Sequence, residues 1–283
     1  MKRIFLCTLA GTFAVLASSA GTAAGSAADA ATNGQLTVQQ ILDRYVAARG
    51  GAEAWHKIQT MDWTGHIESG PGGITKVPFL MLFKRPNATR FEVITQGQHA
   101  VRIFDGEKGW KMTPVEGGLP VVKDYGADEV SSARDAGGLD GPLFDPGTKG
   151  IVVALQGMES IEGHNAYHLK LTLPSGQVRH DYIDAQSFLE LRYDRVTRNG
   201  AGMAGVVSVY LRNYQTFEGL VIPLVIESGG PASKDTDKMI IEKVALNPTP
   251  TIEQFARPNA PRKHNRIVID TRSAGQDQGA SHH

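Results

Sequence analysis

Three histidines, His164, His168 and His180, lie close together in the chain and share a stretch with Asp181 and Asp184. Imidazoles and carboxylates in one place can ligate a metal or pass protons. His164 falls in a turn signal, Glu162-Gly163-His164-Asn165, and His168 and His180 are spaced to face each other across a hairpin. However, Tyr167, Leu169, Leu171 and Leu173 alternate strictly with His168, Lys170 and Thr172. That period of two turns His168 to the wet side of a sheet. We therefore read the three as solvated surface histidines, with a metal or acid–base site as the alternative. The run from Gly200 to Gly205 fits G-x-G-x-x-G. A dinucleotide site needs a helix N-terminus after those glycines, whereas Val206 to Leu211 reads as a strand, so the run is taken as a hairpin loop. Asn87-Ala88-Thr89 is a glycosylation sequon by pattern only, and His282-His283 are read as incidental. There is no G-x-S-x-G elbow, H-E-x-x-H pair, P-loop or EF-hand loop. The expectation is a protein that is not an enzyme, with no cofactor and no metal.

Apolar and aromatic side chains are abundant where catalytic ones are scarce. Trp63, Phe79, Met81, Phe83, Phe91, Phe104 and Trp110 recur through one half of the chain. The elements that would carry them are legible from periodicity. Thr37-Val38-Gln39-Gln40 reads as a capping box, and Ile41, Leu42, Tyr45, Val46 and Ala48 follow on one helical face until Gly50-Gly51. A short second helix over 52–58 carries Trp55. From Thr60 the period becomes two, with strand signals through Met112 and again from Ile151 to Leu246. Residues 114–149 interrupt the series with glycine, proline and a polar stretch; residues 127–134 have the makings of one or two helical turns. An interruption of that length is more often functional than accidental. About eleven consecutive strands predict a mainly β (α+β) domain, a strongly curved antiparallel sheet or open barrel. The apolar side of that sheet is either an ordinary core under the N-terminal helix, or more surface than one short helix can cover, leaving a cavity for an apolar guest. Sequence periodicity leaves both open.

The start of the chain is an export signal: Met1-Lys2-Arg3, an apolar run from Ile4 to Leu16, then small residues. The run is shorter than the roughly 20 residues of a membrane span. Cleavage fits after Ala23 or Ala24, or after Ala30, so residues 1–30 are read as a signal peptide. The only cysteine, Cys7, precedes all of these points, so it is not a lipidated N-terminal cysteine, and no disulfide or thiolate remains after cleavage. The net charge is zero, with no basic stripe for nucleic acid or an anionic membrane. The 32 glycines are spread among turn positions, as in an antiparallel β-protein. Residues 259–283 read as a polar, poorly ordered tail.

Four patterns occur in order: Phe83-Lys84-Arg85-Pro86-Asn87; Asp105-Gly106 with Trp110; Tyr182-Ile183-Asp184; and Phe255-Ala256-Arg257-Pro258. With the export signal and the N-terminal helix, they make residues 37–258 resemble the LolA-like outer-membrane lipoprotein-sorting superfamily. The resemblance implies an unclosed antiparallel β-barrel of about eleven strands, with helices and the 114–149 insertion as a lid over an apolar cavity. It implies a monomeric, periplasmic, non-catalytic binding or carrier protein whose partners are lipid or lipoprotein acyl chains. The cavity would be lined by Trp63, Phe79, Met81, Phe83, Phe91, Phe104 and Trp110, and Arg85 would occupy the position of the arginine that ties down the lid. The superfamily also contains envelope-stress sensors that bind lipids or misfolded proteins and regulate a membrane protein partner, which is the alternative function. The chain departs from the carriers in its length, its larger insertion and its polar C-terminal extension.

Overall fold

A computed structural model describes residues 36–69, 75–198, 204–230 and 236–259. The export signal with Cys7, the glycines at 200 and 202, and the tail beyond 259 lie outside the described residues.

The helices begin where the sequence places them. The Thr37 hydroxyl accepts from the backbone N–H of Gln40, and the Gln40 side chain accepts from the N–H of Thr37, so the capping box is complete. Helix α1 (Val38–Ala48) buries Ile41, Leu42 and Tyr45; α2 (Ala52–His56) follows directly and buries Trp55. Gly50 is forced by close approach as well as by its φ of 107°, since a Cβ there would sit 2.1 Å from the carbonyl oxygen of Gly219.

Among the described residues, thirteen strands form one antiparallel sheet. Strands β1 (Thr60–Ser69), β2 (Thr75–Lys84), β3 (Ala88–Thr95), β4 (Gln98–Phe104), β5 (Gly109–Thr113) and β6 (Val121–Asp124) make one meander. A second consists of β7 (Val152–Ile161), β8 (His164–Thr172), β9 (Val178–Asp184), β10 (Glu190–Arg198), β11 (Ala204–Phe217), β12 (Leu220–Gly229) and β13 (Asp237–Leu246). The order across the sheet is β6-β5-β4-β3-β2-β1-β13-β12-β11-β10-β9-β8-β7. Among the described strands the two wings are hydrogen-bonded to each other through the β1–β13 seam, where Met61 pairs with Leu246 and Trp63 with Val244. β6 and β7 are the free edges, so the sheet does not close on itself. The turn between β7 and β8 has positive φ at both Glu162 and Gly163, the geometry that matches strand twist in a two-residue hairpin.

The strand count exceeds the expected eleven or so; one of the additional strands, β6, lies inside the 114–149 interruption. The remainder of that segment crosses from one free edge to the other and carries α3 (Ala127–Asp135). Glu129 of α3 pairs with Arg102 on β4 and Lys111 on β5, while Asp135 accepts hydrogen bonds from Ser175 in the β8–β9 turn. The crossover therefore touches both wings. Its apolar residues Leu139, Leu143 and Phe144 join Ile41, Trp55, Met61, Leu169, Ile183 and Ile222 in the main core. The face of the sheet under this layer is the inner face. On the outer face, Phe255 from a 3-10 turn (Ile252–Phe255) packs on Leu82 and Ala88.

Candidate functional site

Directly opposed residues of an antiparallel pair share a face of the sheet, so the register sorts the predicted lining. Trp63 opposes Met81, and Met81 opposes Phe91; Phe83 opposes Met61, Phe79 opposes Gly65, and Phe104 opposes Thr89. All six predicted residues on β1 to β4 thus lie on the inner face. Trp110 does not join them. It opposes Ile103, because Gly109 takes the inner position beside Phe104, and alternation turns the next residue outward. Gly109 is itself required there: the ring of Tyr125 lies where its Cβ would be, 2.0 Å away.

Trp63 and Phe83 pack edge to face with centroids 4.9 Å apart, and the Trp63 indole N–H points at the Met61 sulfur at 3.0 Å. Phe104 is fully buried. Beyond the ends of the helices the same face continues as an open apolar trough. Phe79, Val209 and Ile241 are its buried floor, while Ile67, Met81, Phe91, Leu211, Ile226 and Met239 remain partly exposed. The α-helices and the crossover plug one end of the inner face, in a core that Phe79, Val209 and Ile241 at the other end do not join.

Arg85, at the end of β2, sits where plug, crossover and sheet meet. Its Nε donates to the carbonyl of Ile58 at 2.8 Å and its Nη2 to the carbonyl of Trp55 at 2.9 Å, so two directed bonds hold the end of α2. Its Nη1 lies 2.9 Å from Asp140 of the crossover, a carboxylate that Lys149 also holds at 2.7 Å. A planar guanidinium can serve three partners at once because its donors form a fixed fork. Beside it opens a cleft of about 730 Å³ lined by charged and polar residues, His56, Arg85, Arg134, Asp140 and Lys149 among them, and by Pro86, Ile151 and Pro174. A few residues along the crossover, Phe144 inserts between the helices, 5.7 Å from the ring of Tyr45 and 5.3 Å from that of Trp55.

No family model matches the chain, and no curated protein is similar to it in sequence. Solved structures are similar in shape. A DUF1329 family protein from Desulfovibrio piger ATCC 29098 superposes with a TM-score of 0.53 at 14% identity, over 77% of this chain and 97% of its own. A LolA superfamily protein from Nitrosomonas europaea gives 0.51 at 14% identity, over 78% and 98%. A domain from Vibrio parahaemolyticus, provisionally described as outer-membrane lipoprotein-sorting, gives 0.50 at 11% identity, over 76% and 94%. The fold is LolA-like.

Within this LolA-like sheet, a charged cluster that the sequence reading passed over lies on the inner face of β9 and β10. Arg179 donates through Nε to Asp181 at 2.6 Å and through Nη2 to Glu190 at 2.7 Å, and its guanidinium lies over the Tyr193 ring at 3.6 Å. Arg49, at the end of α1, is buried beside it, donating to the Tyr45 hydroxyl and to the carbonyl of Val221. Burial, and then the charge of Asp181, push the Glu190 carboxyl up to about 7. Burial also raises Asp181, whose Oδ2 has no hydrogen-bond partner. The sequence signal for the cluster was a break in the inner alternation: Arg179 and Asp181 stand opposite Leu171 and Leu169.

The histidines lie on the other face. The His168 Nε2 and His180 Nδ1 atoms are 2.7 Å apart, Glu159 holds His168 Nδ1 at 2.7 Å, and the His168 ring stacks on Tyr182. His164 pairs instead with Asp184 at 3.1 Å. Burial, helped by the neighbouring His168, lowers the His180 pKa. No group of three or more metal-ligating side chains is assembled among the described residues.

Proposed function

We propose that this chain is an exported, non-catalytic binding or carrier protein for the acyl chains of lipids or lipoproteins, acting in the periplasm. The observation that carries the reading is the inner face itself, an apolar trough that runs out from under the helical plug. Trp63, Met81, Phe83 and Phe91 form its wall on β1 to β3 beside the floor residue Phe79, with Phe104 buried behind them. Arg85 serves as the latch that holds α2 and the crossover together over the deep end. The LolA-like fold supports the reading because a domain of that shape is provisionally described as outer-membrane lipoprotein-sorting. The N-terminal sequence supports export.

The energetics suit a carrier. Each methylene removed from water contributes about 0.8 kcal/mol, so a sixteen-carbon chain offers on the order of 12 kcal/mol before ordering costs. A cover whose open and closed forms differ by a few kcal/mol is enough to set loading and release. Native mass spectrometry of protein purified from the cell envelope tests the reading. A co-purified lipid or acylated peptide, released on denaturation, is expected. Reproducibly ligand-free protein that also takes up no fluorescent fatty acid would sink it.

A further inference from the structure

The walls of the trough are uncharged over most of their width. On the inner faces of β1 to β3 and β11 to β13, the residues flanking the floor are Ile67, Met81, Phe91, Leu211, Ile226 and Met239, none of them ionisable; the exposed acid Asp237, at the start of β13, shares this face opposite Ser228. The character changes at β10. There Tyr193 opposes the trough-floor residue Val209, and Arg195 opposes Val207. On its other side Arg195 directly opposes Arg179. Like charges facing each other across an antiparallel pair are destabilising, and of these two only Arg179 has acids of its own. Asp181 and Glu190 are both engaged by Arg179, and burial holds both toward their neutral forms. Arg49 adds a third cation to the cluster. Arg195 is exposed and has no ion-pair partner among the described residues, and neither has the Nη1 of Arg179. Two guanidinium groups, stiffened by the Tyr193 ring beneath one of them, thus stand at the margin of an apolar surface with donors to spare.

We propose that the ligand is an anionic amphiphile, its chain in the trough and its carboxylate or phosphate head bridging Arg179 and Arg195. The inference rests on the reading of the trough as an acyl-chain site and adds the chemistry of the head. An anion between the two arginines removes the like-charge opposition, and guanidinium donors suit carboxylate and phosphate oxygens. The head remains beside the exposed Arg195, in contact with solvent, so only the chain has to be desolvated.

Binding of palmitate, hexadecyl phosphate and hexadecanol to the mature chain, each below its micelle concentration, separates the contributions. The two anionic probes should bind at least about tenfold more tightly than the alcohol, a difference of about 1.4 kcal/mol. Preference for only one of them would still support an anionic head and would identify its type. Arg195→Gln should bring the preference down to roughly threefold or less and leave hexadecanol affinity unchanged. Arg179→Gln should do the same, but it leaves Asp181 and Glu190 without their cation. The exposed Arg195 is therefore the decisive position, with a melting curve to show that the variant is folded. Equal affinity for all three probes, or a preference that survives Arg195→Gln, overturns the headgroup assignment while leaving the trough intact. Failure of every probe to bind overturns both.

Discussion

Arg85 and Glu190 show how single side chains set the behaviour of the plug and of the inner face. Arg85 joins the carbonyls of Trp55 and Ile58 to Asp140, so Arg85→Leu removes three directed contacts. The closed arrangement should lose about 2 kcal/mol. A ligand that enters the open form would then bind with higher apparent affinity, because less of the protein is held closed. Stopped-flow transfer of a fluorescent fatty acid should show slower release from Arg85→Leu than from the parent; identical rates would count against the latch. Glu190 makes a pH-dependent contribution with a definite sign. Its folded pKa, about 7, lies above its ordinary value of 4.5. The folded chain therefore holds a proton that the unfolded chain has released. The associated stability is fully present below pH 4.5 and is lost as pH rises through 7. Glu190→Gln keeps the neutral form at every pH, so urea midpoints between pH 5 and 8 should fall less steeply for the variant. A parallel decline in both proteins would refute the assignment. The Arg85 position was legible from K-R-P-N. Its partner Asp140 was not, since an aspartate in a glycine-rich stretch gives no sign of what it will meet. Glu190 was hidden, and Asp181 was grouped with the histidines rather than with Arg179, for a related reason: charged residues at inward positions look outward-facing until their strand register is known.

At the scale of elements, the crossover between β6 and β7 is the part least evident in the sequence. The capping box, the glycine stop and the hairpin turns were readable because each depends on local backbone chemistry. The fate of residues 125–151 depends on contacts with both wings, and its only local hint was the apolar set Leu139, Leu143 and Phe144 in polar surroundings. Parity was the other source of error. Trp110 looks like a lining residue by type, but one step along β5 decides which face it occupies. Phe144 is the anchor of the crossover, since its ring lies between Tyr45 and Trp55. Phe144→Ala should cost about 3–5 kcal/mol by leaving a cavity among α1, α2 and the sheet. Hydrogen exchange should then rise first in α2 and in residues 136–151, with the β1–β3 amides still protected. Uniform deprotection of the whole sheet would mean that the crossover is not a separable layer.

For the whole molecule, the antiparallel class followed from the period-two pattern, and the unclosed sheet was implied by the resemblance that the K-R-P-N and related patterns carry. What periodicity could not supply was the order of strands. Two meanders of neighbouring hairpins could pack as two sheets; in this protein they join edge to edge through β1 and β13. That join converts two ordinary meanders into one continuous surface, with the trough running across it. It also sets the division of faces, with apolar chemistry and the charged cluster inside and the histidine pair outside.

The same join has a consequence for how the chain reaches this structure. Nearly every pairing in the sheet is between strands adjacent in sequence, but the Thr60 hydroxyl donates to the carbonyl of Pro248, 188 positions away. Hairpins form quickly from local contacts, whereas a closure of that span must be reached before its contacts can reward it. The two wings should therefore acquire structure first, and their union should set the pace of folding. Gly65 lies at the irregular point of the join, where an added Cβ would fall 1.9 Å from the carbonyl oxygen of Ile240. Gly65→Ala should slow the last refolding phase seen by tryptophan fluorescence, which the adjacent Trp63 reports, while early hairpin formation followed by circular dichroism keeps its rate. If the variant refolds as fast as the parent, the union of the wings is not the slow step.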